Sequence, residues 1–327
     1  MSKEKQLKNQ KEIDLYANTS FIMPAYNCAS TVEESVKSIM EGNFQDGDEL
    51  VIVNDCSTDN TERVLNDLKT KYPTIKILQH TRNKGGAAAR NNAIENTENE
   101  ILFCLDSDNV LVPGSIQKLK AFMENLDADI AAFQELHYFK DDKDTVTHKW
   151  IFKQGLTTLA DYLSGSIVPG ASGNYMFTKE SWVRARGYPE FAGALDAWGF
   201  GFRQLATGSK MAVMPELYYY HRYGHESYWV RESKKGQTSL TAIKILIPFI
   251  DLINDKDVDY IMSRRGRKSW FDDLKKRPIR LKSGDFGSAG FTTDKKQSNF
   301  QIRRAKIIGT ISRTLPNSIK DRIRGKK

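Results

Sequence analysis

Apolar residues in the first third of the chain come in short, nearly unbroken runs, each ending in a polar cluster. Ser20-Phe21-Ile22-Met23 runs into Pro24-Ala25-Tyr26-Asn27, and Glu49-Leu50-Val51-Ile52-Val53 into Asn54-Asp55-Cys56-Ser57-Thr58-Asp59. Ile101-Leu102-Phe103-Cys104-Leu105 runs into Asp106-Ser107-Asp108. Runs without alternation predict parallel strands covered on both faces, and another strand is predicted over Ile75 to Leu78. Helix signals lie between them. Ser30 and Thr31 stand three residues ahead of Glu33 and Glu34, a capping-box start, and Gly85-Gly86 opens the Ala-rich stretch 87–92. Strand and helix alternate, which predicts an α/β fold with a Rossmann-like, mostly parallel sheet flanked by helices.

The pattern loosens further on. Val168 to Phe177 reads as a Gly-rich loop entering a strand, and Gly187-Tyr188-Pro189 closes a short helix carrying Trp182. Met211 to Pro215 and Leu217 to Tyr220 predict a final pair of short strands. Thr238 to Asn254 predicts a helix packed on the domain or on another subunit, which would make a homodimer surface. The 327 residues suit one sizeable domain plus an extension. The expected division is a polar segment at 1–17, a main domain at 18–230 and a basic, helical extension at 231–327.

Charge sharpens the reading of the extension. The chain carries a net charge of +8, and residues 302–327 hold nine Lys or Arg against one acid, Asp321. Ile302, Ala305, Ile308, Ile311, Leu315, Ile319 and Ile323 recur there at helical spacing. Such a stretch suits an anionic membrane surface or a solvated helix folded back on the domain. The first 18 residues lack the apolar core of a secretory signal, and the most apolar run, 243–253, is broken by Lys244, Pro248 and Asp251. The expected location is therefore cytoplasmic, peripheral on the inner face of the membrane. Three cysteines, Cys28, Cys56 and Cys104, have no zinc or disulfide spacing.

Candidate chemistry gathers at the strand ends, where open α/β sheets bind ligands. Asp106-Ser107-Asp108 offers two carboxylates to a hard cation, Mn²⁺ or Mg²⁺, usually shared with substrate phosphates. Asn83-Lys84-Gly85-Gly86 ahead of a helix suits phosphate, with Lys84 and Arg90 adding charge.

Four segments in this order, 21–27, 53–59, 83–91 and 105–108, resemble the family 2 glycosyltransferases, inverting enzymes of the GT-A fold, over roughly residues 18 to 230. The resemblance implies a nucleotide-sugar donor, usually uridine-linked, among Pro24, Tyr26, Asp55, Asn83, Lys84, Gly86, Arg90, Asp106 and Ser107. Tyr26 would lie against the base, Asp55 would bond the uracil ring, Asp106 would face ribose and diphosphate, and Asp108 would hold the metal. A histidine is also expected late in the fold as a further ligand, His221 first and His225 second. The acceptor side would contain Gly173 and Asn174, with Trp198 placed to stack on a sugar. The family's acidic pair falls on Asp196-Ala197, leaving Asp196, the only acid between Glu190 and Glu216, as general base. Helix capping is the competing reading of Asp196.

The expected activity is transfer of a sugar from a nucleotide diphosphate, most simply a UDP-sugar, to a hydroxyl of a glycan, lipid-linked glycan or cell-surface polymer. Two other classes stay open: a nucleotidyltransferase, and an inert membrane- or nucleic-acid-binding protein on the same fold. Nucleic acid is the weaker version, because the basic stretch lacks interleaved aromatics.

Overall fold

A computed structural model describes residues 18–224 and 236–282. The first half alternates β1 (Thr19–Ala25), α1 (Val32–Met40), β2 (Glu49–Asn54), α2 (Thr61–Lys71), β3 (Ile75–Gln79), α3 (Gly86–Glu95) and β4 (Ile101–Cys104). Next come β5 (Val110–Leu111), α4 (Ser115–Asn125), β6 (Ile130–Phe139), β7 (His148–Ile151), β8 (Gly155–Thr157) and α5 (Leu159–Tyr162). The second half continues with β9 (Met176–Thr178), α6 (Lys179–Arg184), α7 (Asp196–Ala206) and β10 (Met211–Arg222). Helices α8 (Thr238–Leu246), α9 (Asp255–Met262) and α10 (Arg264–Ser269) close the described chain.

All these strands form one sheet, ordered β3-β2-β1-β4-β9-β6-β10-β5, with β7 beside β6 and β8 beside β10. β1 to β4 are mutually parallel. Their unbroken apolar runs have the expected cause: Phe21 to Met23, Leu50 to Val53 and Ile101 to Cys104 have no exposure on either face. Burying a ring such as Phe103 contributes roughly 1.5–3 kcal/mol. β9 is antiparallel to both β4 and β6, so it joins the parallel half-sheet to the second half.

Two local expectations need correction. The pair of strands expected over 211–220 is one strand, β10, parallel to β6 throughout. Its register shifts between Met214 and Tyr218, where Pro215 lacks an N–H and Glu216 takes a φ of 59°. That is a bulge, which bends a strand without ending it. The capping box at α1 is also absent: Thr31 occupies the N-cap position without a side-chain cap. Its hydroxyl instead meets the carbonyl oxygens of Ser107, 3.0 Å, and Cys28, 3.3 Å. A long-range contact to the Asp-x-Asp turn has displaced a local one.

α7 approaches its neighbours closely because it is built around Gly199 and Gly201. A side chain at Gly201 would collide with the Tyr162 hydroxyl, and so would one at Gly170. A Cβ at Gly199 would stand 2.8 Å from Ile245 of α8. Parts of the segment 236–282 pack on α7: Phe271 lies edge-on to Trp198 at 5.0 Å and Phe249 to Phe202 at 5.8 Å. Trp270 is fully buried and donates its indole N–H to Ser239 O at 2.9 Å. Of the segment expected as one helix to Asn254, residues 238–246 are α-helical and Ile247–Leu252 is a 3₁₀ turn containing Pro248. No helix among the described residues is long and apolar enough to cross a membrane. His225, Trp229 and the basic stretch 302–327 lie outside the described residues.

Candidate active site

At the carboxyl end of β4 the chain turns through Asp106, and a buried guanidinium ties this carboxylate to another far along the sequence. Arg90, on α3, donates through Nη2 to Asp106 Oδ1 at 2.6 Å and through Nη1 to Asp196 Oδ2 at 2.8 Å. Asp196 is the first residue of α7, and its Oδ1 accepts from the Ala197 N–H at 2.6 Å. Its residue is 7 % exposed. Asp196 is not the cap of this helix: Leu195 holds the N-cap position without a side-chain cap, and the Asp196 carboxylate meets the amide of the next residue and, through Arg90, the Asp-x-Asp turn.

Two carboxylates around one guanidinium carry a net charge of −1. Burial pushes the Asp196 carboxyl above its ordinary range, and the nearby Asp106 charge adds to this, while Arg90 and the Ala197 amide pull the other way. Burial works against the Arg90 charge, but attraction to Asp196 and Asp106 outweighs it, so the guanidinium is held well above its usual value. The charge deficit in the triad is one that a proton on Asp196 would cancel.

Asn174 completes the setting of Asp106. Its Nδ2 donates to Asp106 Oδ2 at 3.1 Å and its Oδ1 accepts the Asp106 N–H at 2.7 Å. The same Nδ2 reaches Tyr219 OH at 3.3 Å, and that hydroxyl meets His221 Nδ1 at 3.3 Å. Gly173, at φ +76°, lets the loop approach: a Cβ there would be 3.3 Å from Ala197 Cβ and 3.7 Å from Asp106 Oδ2. Asn174 is 1 % exposed, so it orients Asp106 and offers little surface to an acceptor.

On the donor side, Tyr26 is 43 % exposed beyond β1, available to a base. Asn83 and Lys84 are exposed, and Pro24, Gly86 and Ser107 are half-buried. Asp55 is placed otherwise than expected. It is 2 % exposed, and its carboxylate accepts from Lys84 N at 2.8 Å, Gly85 N at 2.7 Å and His80 Nδ1 at 2.6 Å. Those bonds hold the loop ahead of α3 and leave Asp55 little exposed surface. Arg90 differs likewise from the expected phosphate ligand, since both its Nη atoms serve carboxylates. Trp198 is 7 % exposed and packs among Tyr162, Phe202 and Phe271, so it belongs to the core and presents no face to a sugar.

His80 is not singled out by the sequence: it stands just ahead of the Asn83-Lys84-Gly85-Gly86 segment, but its partner Asp55 lies 25 residues earlier. Asn96 Nδ2 donates to Asn92 Oδ1 at 3.0 Å, which turns Asn92 Nδ2 toward His80 Nε2 at 2.9 Å. The ring proton therefore sits on Nδ1, facing Asp55. His80→Ala is expected to cost about 1–3 kcal/mol by removing a donor from a buried carboxylate. Denaturant unfolding checks this, and an unchanged midpoint would show that the loop does not depend on the pair.

For a cation, the fold implies Asp108 and His221. Among the described residues no three His, Cys, Asp or Glu side chains come together as a metal-holding group. Asp106 is committed to Arg90 and Asn174. No metal site is evident among the described residues, and Asp108 is the carboxylate of this turn that a cation would use. Arg222 steadies this turn, donating from Nε to Asp108 O at 3.2 Å and from its backbone to Asn109 Oδ1 at 3.0 Å, while its guanidinium pairs with Glu34.

A parallel half-sheet with an Asp-x-Asp turn at its carboxyl edge, extended by a mixed half-sheet, is the GT-A architecture. Residues 1–349 of S. aureus TarS, solved with UDP-GlcNAc, share it at a TM-score of 0.58 and 18% identity, with 91% of this chain and 82% of that one covered. The sequence model of glycosyl transferase family 2 matches residues 20–186, half of the chain, and the chain belongs to that family. Among curated relatives, the poly(ribitol-phosphate) beta-N-acetylglucosaminyltransferase TarP of Staphylococcus aureus is 29% identical over 162 residues, 49% of this chain and 48% of TarP. The glycosyltransferase GlyG of Streptococcus pneumoniae is 30% identical over 124 residues, 38% of this chain and 40% of GlyG. The chain spans less than half the length of such relatives.

Proposed function

We propose that this protein transfers a sugar, with inversion, from a UDP-sugar to a hydroxyl of a glycan or cell-surface polymer, with Asp196 as general base. The observation that carries this is the Asp106–Arg90–Asp196 triad: one guanidinium spans from the donor-side turn to the only carboxylate at the start of α7. TarS has been solved with UDP and with UDP-GlcNAc, and TarP is an N-acetylglucosaminyltransferase, which supports UDP-GlcNAc as the first donor to try.

In this reading Tyr26 stacks on the base and Lys84 meets the diphosphate. Asp106, fixed by Arg90 and Asn174, bonds the ribose side. When bound, a divalent cation held by Asp108, with His221 as the further candidate, supplies charge that offsets the departing diphosphate. The acceptor O–H gives its proton to a carboxylate oxygen of Asp196 as the oxygen attacks the anomeric carbon. The bond from that carbon to the diphosphate oxygen breaks on the opposite face, and UDP leaves with the electron pair. Proton transfer takes the triad from −1 to neutral, so the buried site favours the step it must perform.

Calorimetric titration of UDP, with and without Mn²⁺, tests the donor half without an acceptor. Binding that strengthens with Mn²⁺ is expected. Failure of UDP to bind in either condition would remove the donor assignment of Tyr26, Lys84, Asp106 and Asp108.

A further inference from the structure

We infer that an exposed strip of rings at the β7–β6–β10 corner binds the pyranose rings of the acceptor glycan. Cross-strand partners in a sheet share a face. His148 pairs with Tyr138 and Trp150 with Leu136 across β7 and β6, while His221 pairs with Tyr138 across β10 and β6. Tyr138, His148, Trp150, His221 and Tyr223 therefore lie on one face. The contacts agree: Tyr138 stacks on His148 at 4.3 Å and 15°, meets Trp150 at 5.4 Å and His221 at 4.6 Å, and Tyr223 stands edge-on to His148 at 5.6 Å.

The strip is open where it is outermost. His148 is exposed, Tyr223 is 37 % exposed and Trp150 is half-buried, whereas the Tyr138 beneath them is buried. A buried ring supporting exposed rings makes a flat, rigid surface. Sugar rings present C–H groups along one face and hydroxyls around the rim, which is the complement of such a surface edged by ring N–H and O–H groups. The one lysine of β7, Lys149, bonds Glu135 at 3.0 Å on the opposite face, with His137. Lys140 stands at the edge of the strip, its stem against Gly224 next to Tyr223, so the selection for a saccharide rests on the rings.

Continuity identifies the saccharide as the acceptor, resting on the transferase reading above. His221 meets the Tyr219 hydroxyl, Tyr219 meets Asn174, and Asn174 holds Asp106. Three hydrogen bonds connect the inner end of the strip to the carboxylate of the triad. A glycan lying along the rings would have its terminal hydroxyl at the donor end and its body on Trp150, His148 and Tyr223.

The test titrates chitotetraose, cellotetraose and maltotetraose separately into the full chain while tryptophan emission is followed, with UDP calorimetry on the same preparations. A saturable emission change with at least one tetrasaccharide is expected, lost in Trp150→Phe and weakened about tenfold or more in His148→Ala/Tyr223→Ala, with UDP binding kept in both variants. If UDP binds but none of the three sugars changes the emission, the strip is overturned and the transferase reading stands. The strip is equally overturned if the emission change survives in both variants. Sugar binding lost in the variants, in a protein that never binds UDP, would uphold the strip as a saccharide surface and sink the transferase reading instead.

Discussion

Asp196→Asn is expected to lower sugar transfer by about 10²- to 10⁴-fold while leaving UDP affinity unchanged. The amide oxygen can still accept from Arg90 or from the Ala197 N–H, which Oδ2 and Oδ1 accept separately in the parent, so one of the two bonds is lost, and the amide has no basic lone pair for the acceptor proton. The pH profile separates this role from a structural one. Because burial raises the Asp196 carboxyl, the acidic limb of the rate should fall through a value above the ordinary carboxylate range of about 4, and that limb should be missing from the residual activity of the Asn variant. Stability has the opposite sense. A carboxyl raised on folding contributes stability below its unfolded value and loses it as pH rises through the folded value. At neutral pH the ionised Asp196 is therefore a burden that Arg90 offsets, and Asp196→Asn should melt close to the parent. Transfer surviving at the parental rate would eliminate Asp196 as base.

Arg90→Ala is expected to have the largest effect on stability. It leaves Asp106 and Asp196 facing one another without a counter-charge, and breaking a buried pair in this way typically costs about 3–5 kcal/mol. For a chain of this size that corresponds to a drop in melting temperature of about 4–7 °C. The deficit should shrink as pH falls, because protonating Asp196 removes one of the two stranded charges. Arg90→Lys keeps the charge but cannot span both carboxylates with a planar fork, so it should recover part of the stability and little of the transfer. Thermal scans at neutral and mildly acidic pH decide the matter. A melting temperature equal to the parent at neutral pH would show that the triad does not hold α3 to α7.

Much of the donor half was legible in the sequence because its signals are local. Phe21 to Met23, Leu50 to Val53 and Ile101 to Cys104 are consecutive residues buried by a single layer arrangement, and Asp106 follows its strand directly. Asp196 is singled out through the resemblance, which places the family's acidic pair on Asp196-Ala197. What sequence could not supply was pairing across distance. Arg90 reads as a cation beside glycines, and nothing within 16 residues reveals that its second partner is Asp196. Asp55 looks like a ligand-facing acid until three donors from another loop are placed around it. Trp198 has the chemistry of a sugar platform and the position of a core residue, a distinction settled by Phe271, which lies 73 positions later. Thr31 had a local partner available and took a distant one. The aromatic strip went unread because its members come from three strands that become neighbours only in the sheet.

The two glycines that flank the Tyr162 hydroxyl give the catalytic apparatus an unusual vulnerability. Gly201 lies on the same helix as Asp196, and that helix is seated against Tyr162 with no room for even a methyl group. Whatever shifts the seat also tilts the helix, and the carboxylate at its first turn moves with it. Under the proposed mechanism, reactivity is therefore geared to a contact that no substrate touches. A change in the hydrophobic interior would then be converted into misalignment of the proposed base, so that end of the site is bounded from behind by the fit of one phenol between two hydrogens.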